Sequence, residues 1–342
     1  MFASSYREAR TSFRREVEQR GGELHSLVVH EDDDLTIDIA QFNPMAERVL
    51  VISSGLHGVE GYAGSAIQLD FLAADWPDDL GVVFLHALNP YGMHFIRRVN
   101  ESNVDLNRNF LPPGEPYEGS TPAYQKLNPL LNKACAPGSF EFFFPRALWA
   151  IFQNGFNALK QAVVEGQYDF PQGVFYGGSA LEQTAVLLQR HLPGFVEQAQ
   201  RAILVDFHTG LGASGTYALL VDAPSDSERY RVLRERFGER VQPWDPDEGV
   251  AYTIRGGFPS ALQRWFGDRM EVLTCEFGTH PPLTVLNALT TENRAHHWGG
   301  DQAQAKAQLM EAFCPRSPRW RSEVLAGGAT VLRQAVERLQ EV

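Results

Sequence analysis

The chain has 342 residues, 44% hydrophobic and 21% charged, a composition that excludes disordered, collagen-like and coiled-coil architectures. Its 42 acidic residues outnumber 30 basic ones for a formal charge of −12, and no run of Lys or Arg exceeds two, which argues against a nucleic-acid or anionic-membrane partner. Cys135, Cys275 and Cys314 are odd in number and show no C-x-x-C spacing, so they suit a reducing compartment and supply neither a disulfide framework nor a cysteine zinc site.

In chain order, the first 22 residues lack the apolar core of a signal peptide and read as a polar helix closed by Gly21-Gly22. Residues 24–42 alternate as an antiparallel hairpin around the acidic run Glu31-Asp32-Asp33-Asp34. Short apolar, β-branched runs then predict strands at 48–54, 81–87, 201–207, 216–223 and 270–277, with helices at 63–74, 179–191, 225–237 and 284–297 between them. Strands with no polar face suit a sheet covered on both sides. The expected fold class is therefore α/β, with a mixed, mostly parallel central sheet flanked by helices. Length alone would allow about two domains, but no linker divides the chain. We expect a single catalytic domain over 1–342 with an insertion at about 111–200, the least legible stretch. No apolar run approaches the roughly 18–20 residues of a membrane span, and the expected protein is soluble and cytoplasmic.

In open α/β sheets ligands bind beyond the carboxyl ends of the strands. There the sequence delivers His57 and Glu60, then Asn89-Pro90-Tyr91-Gly92 with Arg97, Arg98, Asn107 and Arg108, then Asp206 and His208, then Glu276 and His280. His57 and Glu60, three residues apart, share one face of a helical turn and can hold a common ion. His208 can add a third ligand, and two His with one Glu and an open fourth position form a catalytic zinc arrangement. Taken alone, H-x-x-E is a weak pattern and a histidine at a strand end is usually structural. Asp206 shares the strand face of His208 and either orients it or makes a structural hydrogen bond. Period-two alternation puts Glu276 with Thr274 and Val272 and turns Cys275 to the other side as packing. His280 reads as a loop residue, and the adjacent His296 and His297 are expected to diverge on a helix. Gly55, Gly58, Gly61 and Gly64 recur every third residue, unlike the dinucleotide fingerprint. Gly212-Ala213-Ser214-Gly215-Thr216 lacks the closing glycine of a nucleophile elbow, and no Walker A lysine motif occurs.

Gly55-Leu-His57-Gly-Val-Glu60-Gly61, Asn89-Pro-Tyr-Gly92, Asp105-Leu-Asn-Arg-Asn-Phe110, Asp206-Phe-His208-Thr-Gly210 and Thr274-Cys-Glu276-Phe-Gly278 follow one another in a fixed order. Over residues 49–280 this resembles the zinc carboxypeptidase family of metallopeptidases, in particular a bacterial carboxypeptidase-like branch. It is also similar to the related aspartoacylase and succinylglutamate desuccinylase group. The resemblance implies a zinc carboxypeptidase-like (phosphorylase/hydrolase-like) fold and one Zn²⁺ per chain on His57, Glu60 and His208. It implies Asn107 and Arg108 as the grip on a free carboxylate, and Arg98, or Arg97 one position away, as the arginine that polarises the carbonyl. Glu276 matches the general base acting on zinc-activated water, and Tyr252, ahead of Gly256-Gly257, matches a mobile tyrosine. Asp105 and Asn109 are expected to fix the loop. The implied activity is zinc-dependent hydrolysis of an amide next to a free carboxylate. The alternatives are an N-acyl amino acid deacylase of the aspartoacylase type and, from another class, a non-catalytic metal- or peptide-binding protein. The implied partner is a small peptide or acyl amino acid, not nucleic acid or membrane. Uncharged Phe258 and Pro259 at the position of the side-chain pocket favour a small or apolar leaving residue.

Overall fold

Continuous apolar strands need cover on both faces, and the chain supplies it with helices. The computed structural model describes residues 2–138, 143–154, 161, 165–243 and 254–341. Among them, eight strands form one sheet in the order β1-β2-β4-β3-β5-β8-β6-β7. β1 (Glu23–His30) and β2 (Leu35–Phe42) make the expected antiparallel hairpin, and β2 runs antiparallel to β4 (Gly81–His86). The centre is parallel: β4, β3 (Arg48–Ser54), β5 (Arg201–Ser214) and β8 (Met270–Gly278). β6 (Tyr217–Val221) then pairs antiparallel with β8 and parallel with β7 (Val241–Pro243). The sheet is thus the mixed, mostly parallel α/β sheet that the sequence predicts.

Alternation along each strand builds two separate cores. Leu50, Ile52, Ile203, Val205, Leu273 and Cys275 face helices Tyr6–Gln19, Gly61–Leu72 and Pro318–Gln340. Val49, Val51, Leu204 and Val272 face helices Gln183–Phe195 and Phe258–Phe266. The chain leaves β3 towards β4 on one side and later returns to β5 on the other. The carboxyl ends of β3 and β5 therefore flank the crevice where the strand order reverses, the usual ligand position in such sheets.

Most predicted elements fall within a few residues of their expected places. The helix expected at 179–191 lies at Gln183–Phe195, and the helix at 63–74 begins at Gly61. Helices Phe143–Asn154, Phe258–Phe266, Gln302–Phe313 and Pro318–Gln340 were not anticipated. β5 is seven residues longer than expected, so His208 sits inside the strand, in register with Glu276 of β8. Beyond Thr209 the ladder slips before rejoining at Ser214, where Gly210 and Gly212 adopt positive φ. Among the described residues no helix is long and apolar enough to cross a membrane.

Candidate metal and substrate site

β3 is followed by Gly55, whose φ of +73° turns the chain away from the sheet. His57 then caps a short 3-10 turn, Gly58–Glu60, that runs directly into the helix Gly61–Leu72. The Gly58 and Val59 amides donate to the Arg98 and Arg97 carbonyls at 3.1 and 2.9 Å, so the turn that carries two candidate ligands is fastened to residues 97–98.

Three side chains meet there. His57 Nδ1 lies 2.9 Å from Glu60 Oε1, His208 Nδ1 lies 3.0 Å from Glu60 Oε2, and the two Nδ1 atoms are 3.2 Å apart. Among the described residues this is the one His/Cys/Asp/Glu group placed to hold a metal ion. The far nitrogens face buried carboxylates: His57 Nε2 is 3.0 Å from Asp105 Oδ1, and His208 Nε2 is 2.8 Å from Asp206 Oδ2. A carboxylate on one ring nitrogen fixes the tautomer and turns the other lone pair inward. Asp206 is anchored in turn by the Ser53 hydroxyl, which donates to Oδ1 at 2.7 Å, so of its two readings the orienting one agrees with the geometry. Burial works against the charge on Glu60, but His57 and His208 more than offset it and hold the carboxyl below the usual range. Burial likewise disfavours charge on His208, and Asp206 and Glu60 override it to raise that imidazole.

Asp105 does more than fix a loop. It accepts the Asn107 amide at 3.1 Å, as expected, and it also orients His57 and accepts Arg98 Nε at 3.1 Å. Arg98 turns into the cluster, donating from Nη1 to Glu60 Oε1 at 2.9 Å and placing Nη2 2.8 Å from His57 Nε2. Arg97 turns the other way, to Glu292 at 2.9 Å and to Asn103 and Asn293. Of the two adjacent arginines, only Arg98 joins the ligand cluster.

Glu276 follows Thr274 on the same face of β8 and accepts the Leu211 amide at 3.1 Å. Burial, reinforced by the negative charge of Glu60, pushes its carboxyl up to about 8, a poise suited to proton transfer. Asn107 Oδ1 accepts the Phe258 amide at 2.9 Å. Arg108 is fully buried, with Nη1 donating to the Asn107 carbonyl at 2.8 Å, and the Tyr168 hydroxyl donates to the Arg108 carbonyl at 2.7 Å. Asn109 ties the loop to Gly177, Ala180 and Glu182. Tyr252 lies outside the described residues. Cys275 is buried on the opposite face, as alternation predicts. His280 stands 3.9 Å from Glu311. His296 and His297 do not diverge: their rings pack edge-on with centroids 4.8 Å apart, because χ1 freedom lets adjacent helical side chains lean together.

Fold and site together define an α/β protein with a two-His, one-Glu centre at the switch point of its sheet. The DUF2817 family model, described as "Protein of unknown function", matches residues 2–327, and the chain belongs to that family. A search of curated proteins gave no match. Among solved structures, the chain is similar to a Shewanella amazonensis protein provisionally classed as a metallopeptidase (17% identity, 91% of this chain and 94% of that one, TM-score 0.47). It is similar also to carboxypeptidase A from Helicoverpa armigera (14%, 98% and 74%, TM-score 0.48) and to a succinylglutamate desuccinylase/aspartoacylase from Rhodobacter sphaeroides (16%, 81% and 65%, TM-score 0.39).

Proposed function

We propose that the chain is a zinc-dependent hydrolase that cleaves an amide next to a free carboxylate, in the manner of a carboxypeptidase. The observation that supports it most is the convergence of His57 Nδ1, His208 Nδ1 and the Glu60 carboxylate at 2.9–3.2 Å from one another. Ligands at zinc–nitrogen distances of roughly 2.0–2.1 Å stand about 3.3 Å apart in a tetrahedron, and imidazole with carboxylate is a donor set that zinc favours. Zinc on these residues would supply Lewis acidity towards a water and a carbonyl oxygen. Glu276 takes the proton of the attacking water and delivers it to the leaving amine. Arg98 donates to the carbonyl oxygen as negative charge develops. The Arg108 guanidinium and the Asn107 NH₂ grip the free carboxylate, for which a planar fork is well shaped. Tyr252 enters as the mobile tyrosine that the sequence resemblance implies. In this reading residues 1–342 act as one catalytic domain in the cytoplasm, and the leaving residue is small or apolar.

A panel of dipeptides and N-acyl amino acids, assayed with and without chelator beside a metal analysis, tests the proposal and decides between peptidase and deacylase. We expect about one zinc per chain, chelator-sensitive hydrolysis, and a loss of about 10²–10⁴-fold in Glu276→Gln with zinc retained. Protein that purifies without metal and binds the same compounds without hydrolysing them would overturn it. A preference for Lys or Arg at the leaving position would overturn the pocket assignment alone.

A further inference from the structure

Phe175 has a backbone conformation that bulky L-residues avoid, with φ of +59°. Its surroundings impose it. The Tyr124 hydroxyl donates to the Val174 carbonyl at 2.6 Å, the Gln167 amide to the Phe175 carbonyl at 3.1 Å, and the Asp105 amide to the Tyr176 carbonyl at 2.7 Å. The last bond ties the strained residue's neighbour to the loop that carries Asn107 and Arg108. Backbone strain held this firmly beside a reactive cluster points to a use for the side chain.

The buried ring meets both candidate substrate arginines. Arg98 Cζ lies 5.4 Å and Arg108 Cζ 5.7 Å from its centroid, each within cation–π range. Asp105 engages the same pair: Oδ2 accepts Arg98 Nε at 3.1 Å, and Oδ1 lies 3.9 Å from Arg108 Nη1. Two like charges are thus tied together at two points, by one carboxylate and one aromatic ring. A pair of solvated arginines would adjust to ligands of different length; this pair is framed.

We propose that Phe175 is a specificity-determining spacer that fixes the separation of Arg98 and Arg108, and so the number of bonds allowed between the carbonyl under attack and the substrate's free carboxylate. This rests on the reading of Arg98 as the carbonyl-binding and Arg108 as the carboxylate-binding arginine. A rigid spacing accepts a carboxylate on the carbon next to the amide nitrogen. It rejects the homologue with one more methylene, because one of the two arginine contacts is then out of reach.

N-benzoylglycine and N-benzoyl-β-alanine differ by that methylene. Their kcat/KM ratio is the readout, because a general loss of folded enzyme cancels from it, and calorimetry gives the parallel ratio of affinities. Wild-type protein should prefer N-benzoylglycine by about tenfold or more. Phe175→Leu should bring the ratio close to unity, whereas Phe175→Tyr, which keeps the ring, should preserve it. If leucine is not accommodated, Phe175→Asn removes the ring with a residue that tolerates positive φ. Non-aromatic variants with the wild-type ratio, or wild-type protein without preference, overturn the spacer. If wild-type protein binds N-benzoylglycine without hydrolysing it, the hydrolase reading fails alone and the affinity ratio decides the spacer. If it binds neither compound, the carboxylate role of Arg108 falls and the spacer with it.

Discussion

A histidine serves a metal through one nitrogen when the other holds its proton against an acceptor. Asp105 and Asp206 provide that acceptor for His57 and His208, at 3.0 and 2.8 Å. Asp206→Asn keeps an oxygen for the Ser53 hydroxyl but removes the charge that orients the ring. We expect zinc affinity to fall by about 10–100-fold with the fold intact. Competition against a chromophoric chelator measures this, and unchanged affinity would remove Asp206 from the site. Arg97 and Arg98 separate by the same reasoning about partners. Arg98→Ala deletes a donor to the developing oxyanion and should lower kcat by about 10²–10³-fold. Arg97→Ala strands Glu292, whose side chain is 4% exposed, and should cost about 3 kcal/mol of stability. A denaturant titration of both variants beside their kinetics checks the contrast. A larger kcat loss in Arg97→Ala would reverse the assignment.

The elements around the site meet through their backbones. A Cβ on Gly58 would come within 2.1–2.3 Å of the Gly92 and Met93 main chain in helix Pro90–Phe95, so the 3-10 turn and that helix touch with no side chain between them. Gly58→Ala must push Glu60 away from His208; we expect a loss of about 1–3 kcal/mol in stability and weaker metal binding. A variant with wild-type melting and metal affinity would show that the contact is slack. Glycines also explain which elements the sequence hid. Helix Pro318–Gln340 runs through Gly327-Gly328, because a Cβ at 327 would meet the Phe277 ring and one at 328 would meet Ile67, each at 2.7 Å. The glycines permit close packing where local propensity signals a stop. The central strands were legible because burial on both faces leaves an unbroken apolar run, whereas the short β7 carried no such run. β5 was legible only as far as Phe207, because polar and glycine residues extend it through a slipped register.

At the scale of the whole molecule, the meeting of His57, Glu60 and His208 was legible because few residue types can hold a metal ion and these stand at or beyond the carboxyl ends of neighbouring strands. Phe175 carried no such signal, since an aromatic in an irregular segment looks like ordinary packing until its φ and its two arginine neighbours are known. Global stability brings one more buried group into view. His86 of β4 is fully buried, 2.9 Å from the Ser65 hydroxyl and stacked on Phe13 of the first helix, with ring centroids 4.4 Å apart. Burial lowers it to about 4; Arg14 and Arg10 add to that, while Asp38, opposite it in the β2–β4 ladder, acts against them. Its folded value lies below the roughly 6.5 of an unfolded histidine. The stability it contributes is therefore present above pH 6.5 and lost as pH falls through 4, about 3 kcal/mol in all. Melting temperatures across that window should decline in the wild type and decline less steeply in His86→Leu, even though the variant starts lower for want of the Ser65 hydrogen bond. Parallel curves for the two proteins would mean that the acid sensitivity lies elsewhere, with the Asp38 carboxylate, which Arg14 and Thr36 hold below its usual range despite its burial, as the next group to replace.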